Sequence, residues 1–111
     1  MLPKKERLSR LEFNRFFSVG KRQHSPLFQI VFAPHETLHA SVVVSKKIAK
    51  RAVVRNKIRR RIYDIVRNYH SEERMCGVFI FVVKPGVVTT PYAALKSEVI
   101  TALQTIVKKF N

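Results

Sequence analysis

Acidic residues are the scarcest charged side chains in this sequence of 111 residues. Asp and Glu together number 7, whereas Lys and Arg number 22, so the formal net charge is +15. Because self-repulsion of this size destabilises a compact chain, the composition favours a densely anionic partner, nucleic acid before an anionic membrane. The few scattered carboxylates offer no metal cage and no general acid–base pair, which argues against a nuclease made of protein alone.

Cysteine, glycine and long apolar runs are also scarce. The single cysteine, Cys76, excludes an internal disulfide scaffold, and three isolated glycines exclude a glycine-rich phosphate loop. The longest apolar run, residues 78–83, is far shorter than the roughly 20 residues of a membrane-spanning helix. We therefore expect a soluble cytoplasmic protein with a single RNA-binding domain over residues 1–111, opened by a loose basic arm at 1–8.

Two helices are indicated at the ends of the chain. Ser9 and Glu12 have capping-box spacing and precede phenylalanines at helical intervals, which predicts a helix over residues 10–19 that stops at Gly20. Near the other end, Thr90-Pro91 has the character of an N-cap followed by a first helical residue. An amphipathic period continues from there to the end of the sequence and predicts the last helix.

Three segments between these helices have strand character. Residues 27–33 and 39–45 are rich in β-formers, and their short connection predicts an antiparallel hairpin. Residues 77–83 are apolar on both faces, as expected of a central strand. With a further helix before the third strand, the order α-β-β-α-β-α predicts an α/β sandwich with helices packed on a small sheet.

That further helix carries the main functional signal. Ten of the 22 residues from 46 to 67 are Lys or Arg, and only Asp64 is acidic. We place a helix over 53–69, with an apolar stripe about 80° wide and cations on its other sides. Such cations are best accommodated when phosphates replace their counterions, so the pattern predicts contact with nucleic acid. The aromatic face of the first helix could stack unpaired bases, and no DNA-reading motif is visible.

These motifs resemble the bacterial ribonuclease P protein subunit. The family has a strand ending in Ser/Ala-Lys-Lys and then an Arg-Asn-Arg helix, here Ser45-Lys46-Lys47 followed by Arg55-Asn56-Lys57. The opening aromatic helix and the apolar strand with its basic turn agree, so the resemblance spans nearly the whole chain. It implies a two-layer α/β (α+β) sandwich like the second domain of ribosomal protein S5, with a left-handed βαβ crossover, although general rules favour the right-handed form.

The resemblance also implies a function. The family's subunit binds a catalytic RNA and the 5′ leader of precursor tRNA, and it assists endonucleolytic removal of the leader. The RNA performs the chemistry with Mg²⁺, so no catalytic or metal-binding residue is expected in the protein. The partners implied are the ribonuclease P RNA and precursor tRNA, with neither DNA nor a membrane, and the protein is expected as a monomer within the ribonucleoprotein.

Residue roles follow by the same resemblance. Phe13, Phe17 and Phe28 are expected to line a cleft for the leader, between the first helix and the sheet. Arg55 and Arg59, one turn apart, are expected to clamp a phosphate. The full set expected to contact the catalytic RNA is Lys46, Lys47, Arg51, Arg55, Asn56, Lys57, Arg59, Arg60 and Arg61. The alternative is a ribosomal or ribosome-associated RNA-binding protein with no role in cleavage, which would share the charge but have no use for a leader cleft.

Overall fold

A computed structural model of the protein describes residues 8–110. Apart from Leu8, the predicted basic arm lies outside the described residues. The described part contains three α-helices and four β-strands, together with a 3₁₀ helix at Pro85–Thr89. The helices are α1 (Arg10–Val19), α2 (Ala52–Glu72) and α3 (Tyr92–Phe110); the strands are β1 (Lys21–His24), β2 (Phe28–Ala33), β3 (Leu38–Val43) and β4 (Gly77–Val83).

The four strands form one sheet in the order β1-β2-β4-β3. β4 is antiparallel to β2 and parallel to β3. The predicted hairpin between the segments at 27–33 and 39–45 is therefore wrong, because β4 lies between them. β4 is buried at every position except the half-buried Val82, and a strand that is apolar on both faces is stable only in the middle of a sheet.

β2 instead forms its hairpin with β1, a strand that the sequence did not predict. The sequence of β1 is Lys-Arg-Gln-His, which lacks the β-branched and aromatic residues that mark strands. Its position explains this composition, because a charged edge strand discourages pairing with another chain. The turn between β1 and β2 is closed by the backbone amide of Ser25, which donates to the carbonyl of Phe28 at 2.9 Å.

The helices cover the two faces of the sheet unequally. α2 and α3 pack on one face and form the main core, in which Phe79 and Phe81 of β4 meet Ile62 of α2 and Leu103 of α3. α1 lies on the opposite face, and its phenylalanines cover a smaller cluster formed by Val31, Ala33, Val78 and Ile80. The predicted fold class, helices packed on a small mixed sheet, is confirmed.

The parallel pair β3 and β4 determines where the connecting segments lie. β3 leads into α2 and β4 leads into α3, so segments 44–51 and 84–91 are at the same end of the sheet. The β1–β2 turn is at this end too, since the Nζ of Lys84 donates to the carbonyl of Ser25 at 2.7 Å. α3 begins one residue later than predicted, and the hydroxyl of Thr90, the predicted N-cap, donates to the carbonyl of Gly86 at 2.6 Å.

Candidate nucleic-acid interface

The outer side of α2 presents basic side chains with no internal counterions. The helix is held by a stripe of fully buried residues that includes Ile62, Ile65 and Val66. Lys57 and Arg60 are exposed on the opposite side. Among the described residues, no carboxylate forms an ion pair with a basic side chain of α2. The face therefore keeps its full positive charge until an external anion approaches it.

The segment before α2 extends this face. The carbonyl of Ser45 accepts hydrogen bonds from the amides of Ile48 at 3.1 Å and Ala49 at 3.3 Å. This turn buries Ala49 and leaves Lys46 and Lys47 exposed. The turn thus points two lysines away from the core at the start of the basic helix.

The N-terminus of α2 adds to the positive potential. The N-cap residue is Arg51, which makes no side-chain capping hydrogen bond, and the first turn contains no acidic residue. The first amides of a helix have no intrahelical acceptor, and the helix dipole places positive charge at this end. Cations here destabilise the free protein, and an anion bound at the same place relieves that repulsion.

The phosphate clamp expected of Arg55 and Arg59 stays a prediction, and in the described structure the two side chains make different contacts. The Nη1 of Arg55 donates to the carbonyls of Ala49 at 3.0 Å and Lys50 at 2.7 Å, so this side chain ties the preceding segment to the helix. Arg59 instead donates to the side-chain oxygen of Asn56. Arg55 thus contacts the backbone before the helix, whereas Arg59 contacts Asn56.

A hollow of about 300 Å³ lies beside that pair, lined by Asn56, Arg59, Arg60 and Tyr63. Tyr63 was not singled out by the sequence, because it lies at the edge of the apolar stripe. Its hydroxyl oxygen accepts a hydrogen bond from the amide of Val42 at 3.2 Å. Tyr63 thereby fixes α2 against the edge strand β3 and forms the floor of the hollow.

The opposite face of the sheet carries the aromatic rings for which a leader cleft was predicted. The rings of Phe13 and Phe17 stack with centroids 5.6 Å apart and planes 19° apart. Both rings are half-buried on the sheet side of α1. The guanidinium of Arg22 lies 4.8 Å from the Phe17 centroid and also donates to the Gln29 side-chain oxygen at 3.2 Å. The sequence did not single out Arg22 because β1 was not predicted, and it did not single out Gln29 because the face of the sheet that α1 covers was not predicted.

Phe28 does not belong to this cleft, and its predicted role there is wrong. The side chain is fully buried in the main core, with its ring centroid 5.5 Å from that of Phe81. Successive residues of a strand point to opposite faces, so Phe28 faces α2 and α3 while Gln29 faces the side of α1. Gln29 therefore occupies the β2 position beside Phe17 and Arg22.

The start of α1 is fixed by a complete capping box. The amide of Glu12 donates to the Ser9 hydroxyl at 3.2 Å, and the amide of Ser9 donates to the Glu12 carboxylate at 3.2 Å. Hydrogen bonds from Ser9 hold the pKa of the Glu12 carboxyl below its ordinary value, with smaller contributions from His39 and His35. The carboxylate thus acts as a cap, which orients the helix that carries Phe13 and Phe17.

Among residues 8–109, no group of three or more His, Cys, Asp or Glu side chains could hold a metal ion. In the same part of the chain, no helix is both long enough and apolar enough to cross a membrane.

Comparison with known proteins connects this chain to a family. A family model described as Ribonuclease P matches residues 2–107. The ribonuclease P protein component of Chromobacterium violaceum is 35% identical over 100 residues, covering 88% of this chain and 78% of that protein. The corresponding component of Acholeplasma laidlawii is 34% identical over 93 residues, covering 82% of this chain and 79% of that protein.

Solved structures share the fold. The ribonuclease P protein of Thermotoga maritima superposes with a TM-score of 0.82 at 20% identity, covering 91% of this chain and 97% of that one. The Staphylococcus aureus ribonuclease P protein gives 0.80 at 21% identity, with coverage of 96% and 98%. These matches favour the family over a ribosomal protein of similar charge. The chain belongs to the ribonuclease P protein family, the protein component of the ribonuclease that processes the 5′ ends of tRNA.

Proposed function

We propose that the chain connects two RNA partners within ribonuclease P. The α2 face, with the turn before it, binds the catalytic RNA, and the cleft between α1 and the sheet binds the single-stranded 5′ leader of precursor tRNA. The observation that carries this proposal is the separation of two chemically different surfaces by the sheet. One is cationic with no internal counterions, and the other is aromatic, with Arg22 beside the Phe17 ring and Arg15 beside the Phe16 ring.

The α2 surface suits a structured RNA whose phosphates are closely spaced. Lys46, Lys47, Arg51, Lys57 and Arg60 are exposed and fit phosphates as unpaired cations. The Asn56–Arg59 pair offers hydrogen-bond donors at the side of the helix, where a ribose 2′-hydroxyl could bind. One copy of the chain supplies the whole surface, so we propose a monomer within the ribonucleoprotein.

The α1 cleft suits a single strand rather than a duplex. Half-buried aromatic rings stack on unpaired bases with little dependence on sequence, as a leader that differs between precursors requires. Arg22 adds a cation beside the Phe17 ring, and its guanidinium plane can stack or bind a phosphate. Phe13 and Phe17, with Arg22 and Gln29 in place of Phe28, are the residues that we assign to the leader.

We assign the cleavage chemistry and its Mg²⁺ to the RNA partner. Ribonucleases of this family generally use metal ions, and the described part of this chain brings together no set of side chains suited to hold one. The protein would then act by increasing the local positive charge and by holding the substrate. This lowers the Mg²⁺ concentration that the RNA needs. We further propose that the complex works in the cytoplasm, where precursor tRNA is made in bacteria.

The test is cleavage of precursor tRNA by a bacterial ribonuclease P RNA at limiting Mg²⁺, with and without the purified chain. We expect the chain to restore accurate release of the 5′ leader. The joint variant Lys46→Ala/Lys47→Ala should lower affinity for the catalytic RNA, whereas Phe17→Ala should lower affinity for the substrate in the assembled complex. A folded, RNA-binding chain that fails to stimulate RNAs of either bacterial subtype would contradict the proposal, as would metal-dependent cleavage by the protein alone.

A further inference from the structure

An exposed aromatic side chain lies beside the basic face, at the start of α3. Tyr92 is the first residue of α3 and is 40% exposed, whereas Tyr63 is buried and Tyr69 half-buried. The guanidinium carbon of Arg61, on α2, lies 5.9 Å from the centroid of the Tyr92 ring, within the range of a cation–π contact. The ring therefore continues the α2 surface onto the neighbouring helix.

The backbone beneath Tyr92 is held firmly. The Thr90 hydroxyl and amide donate to the carbonyls of Gly86 at 2.6 Å and Val87 at 3.3 Å, and Val87 is buried. One turn into α3, the amide of Leu95 donates to the carbonyl of Pro91 at 3.0 Å, and the Leu95 side chain is only 2% exposed. A ring held on such a base loses little conformational entropy when a ligand stacks on it.

Each helix in this contact carries a further cation one turn away. Lys57 is one turn before Arg61 on α2, and Lys96 is one turn after Tyr92 on α3; both lysines are exposed. A nucleotide whose base stacks at Tyr92 would therefore have cations available for the phosphates on either side of it. Aromatic rings and guanidinium planes both stack on unpaired bases, and Tyr92 and Arg61 present one of each.

We propose that Tyr92 and Arg61 form a stacking site for one unpaired nucleobase of the RNA that binds α2. This inference rests on the proposed function and extends it, because α2 alone offers cations but no exposed aromatic ring. The site would recognise an unpaired nucleotide at the boundary of a helical RNA region, where the bound phosphates end and a base is free to stack.

The test uses the absence of tryptophan from the sequence. Tyr92→Trp gives the chain a single indole reporter, and Gln104→Trp puts the same reporter at an exposed position farther along α3. On titration with ribonuclease P RNA, we expect Tyr92→Trp emission to be quenched at one equivalent and to become protected from acrylamide. Gln104→Trp emission should change little. Equal responses from the two variants would overturn the stacking site.

Affinity measurements separate this inference from the proposed function. Tyr92→Ala should bind the catalytic RNA roughly five- to a hundredfold more weakly, and Tyr92→Phe should bind as the unmodified chain does, since stacking needs the ring. Thermal unfolding of each variant checks that the fold is intact. If Lys46→Ala/Lys47→Ala weakens binding and Tyr92→Ala does not, the stacking site is refuted and the proposed function still stands. If the unmodified chain does not bind the RNA, the proposed function fails.

Discussion

The guanidinium of Arg22 lies 4.8 Å from the ring centroid of Phe17, and its Nη2 donates a hydrogen bond to the carbonyl oxygen of Phe17 at 3.0 Å. An edge-strand residue thus holds both the ring and the backbone near the end of α1. Because the Phe17 ring also stacks on Phe13, these contacts fix the orientation of the ring. Preorganisation of this kind lowers the entropic cost of binding a flexible single strand.

Phe17→Ala tests the role of that surface. In the assembled ribonucleoprotein, we expect precursor tRNA to bind roughly five- to a hundredfold more weakly, the range found for loss of one base–aromatic stack. Mature tRNA has no leader, so its dissociation constant should change little. Leu11→Ala is the matched control, because Leu11 is 84% exposed on the same helix. Equal losses for both tRNAs would assign Phe17 to packing.

Gly20 is required for close packing rather than for an unusual backbone angle. The sequence predicted a helix stop at this residue, and α1 does end there, but its φ of −68° is accessible to any residue. A Cβ at this position would lie 2.5 Å from Val31 Cγ1 and 2.8 Å from the Phe16 carbonyl oxygen. Gly20→Ala should therefore lower the free energy of unfolding by about 1–3 kcal/mol, as overpacking does.

Gly86→Ala is the control for that substitution. A Cβ at Gly86 would lie 3.6 Å from Leu27 Cδ2, an ordinary contact, so stability should stay the same or rise slightly. Both unfolding free energies can be measured by urea titration. Equal stabilities for the two variants would mean that α1 shifts to accommodate the methyl group.

The sequence predicted α1, α2, β4 and the basic face well, because each depends on a local pattern. Ser9 and Glu12 determine the start of α1 through neighbouring backbone groups, and the isoleucines of α2 repeat at helical spacing. Strand order is a different kind of property. The short link between β2 and β3 suggested that they pair, but the fully apolar β4 displaces β3 from β2, and no local signal records that competition.

The sequence predicted which residues form the basic face, but it did not predict the contacts that their side chains make. Composition and the family resemblance located the cations, but they could not show that Arg55 bonds backward to Ala49 while Arg59 bonds to Asn56. Phe28 was misplaced although its strand was identified, since the face of the sheet that α1 covers depends on tertiary packing. Arg22 was missed because its strand contains only polar residues.

The capping box makes part of the stability depend on pH. Because the folded-state pKa of Glu12 is lowered, its contribution is fully present above the unfolded pKa of about 4.3 and is lost as the pH falls through the lower folded value. We expect NMR titration of the Glu12 carboxyl to show the lowered pKa, and Ser9→Ala to raise it toward the ordinary value. Ser18→Ala, on the same helix, should not change it. An ordinary Glu12 pKa in the unmodified chain would contradict the capping role.

The α2 surface should make RNA binding strongly dependent on salt. If about six to ten phosphates are neutralised, a plot of log K against log salt should have a slope between about −4 and −9. This slope can be measured by filter binding or fluorescence titration with the catalytic RNA over roughly 50–300 mM salt. A slope near −1 would remove the multiple phosphate contacts on which the proposed function relies.

Alanine substitutions at Arg55 and Arg59 should distinguish a residue that stabilises the fold from one that binds RNA. In Arg55→Ala, the carbonyls of Ala49 and Lys50 lose a charged donor, and hydrogen bonds to charged groups contribute about 1.5–3 kcal/mol when well formed. Because Arg55 is half-buried, we expect its loss to cost about 1–2 kcal/mol of unfolding free energy. In Arg59→Ala, only an exposed contact with Asn56 is lost, so unfolding should change by less than about 0.5 kcal/mol.

Both substitutions should weaken RNA binding, but for different reasons. Arg59→Ala removes a cation that is available to phosphate, so the salt slope for the catalytic RNA should fall in magnitude by about one. Arg55→Ala should weaken binding by loosening the segment that carries Lys46 and Lys47. Arg55→Lys should not rescue it, since the lysine side chain is one bond shorter than the path to the Nη1 that donates to both carbonyls. If Arg55→Ala keeps full stability and lowers the slope by one, then Arg55 belongs to the phosphate clamp that the sequence predicted, and its contacts with the turn are incidental.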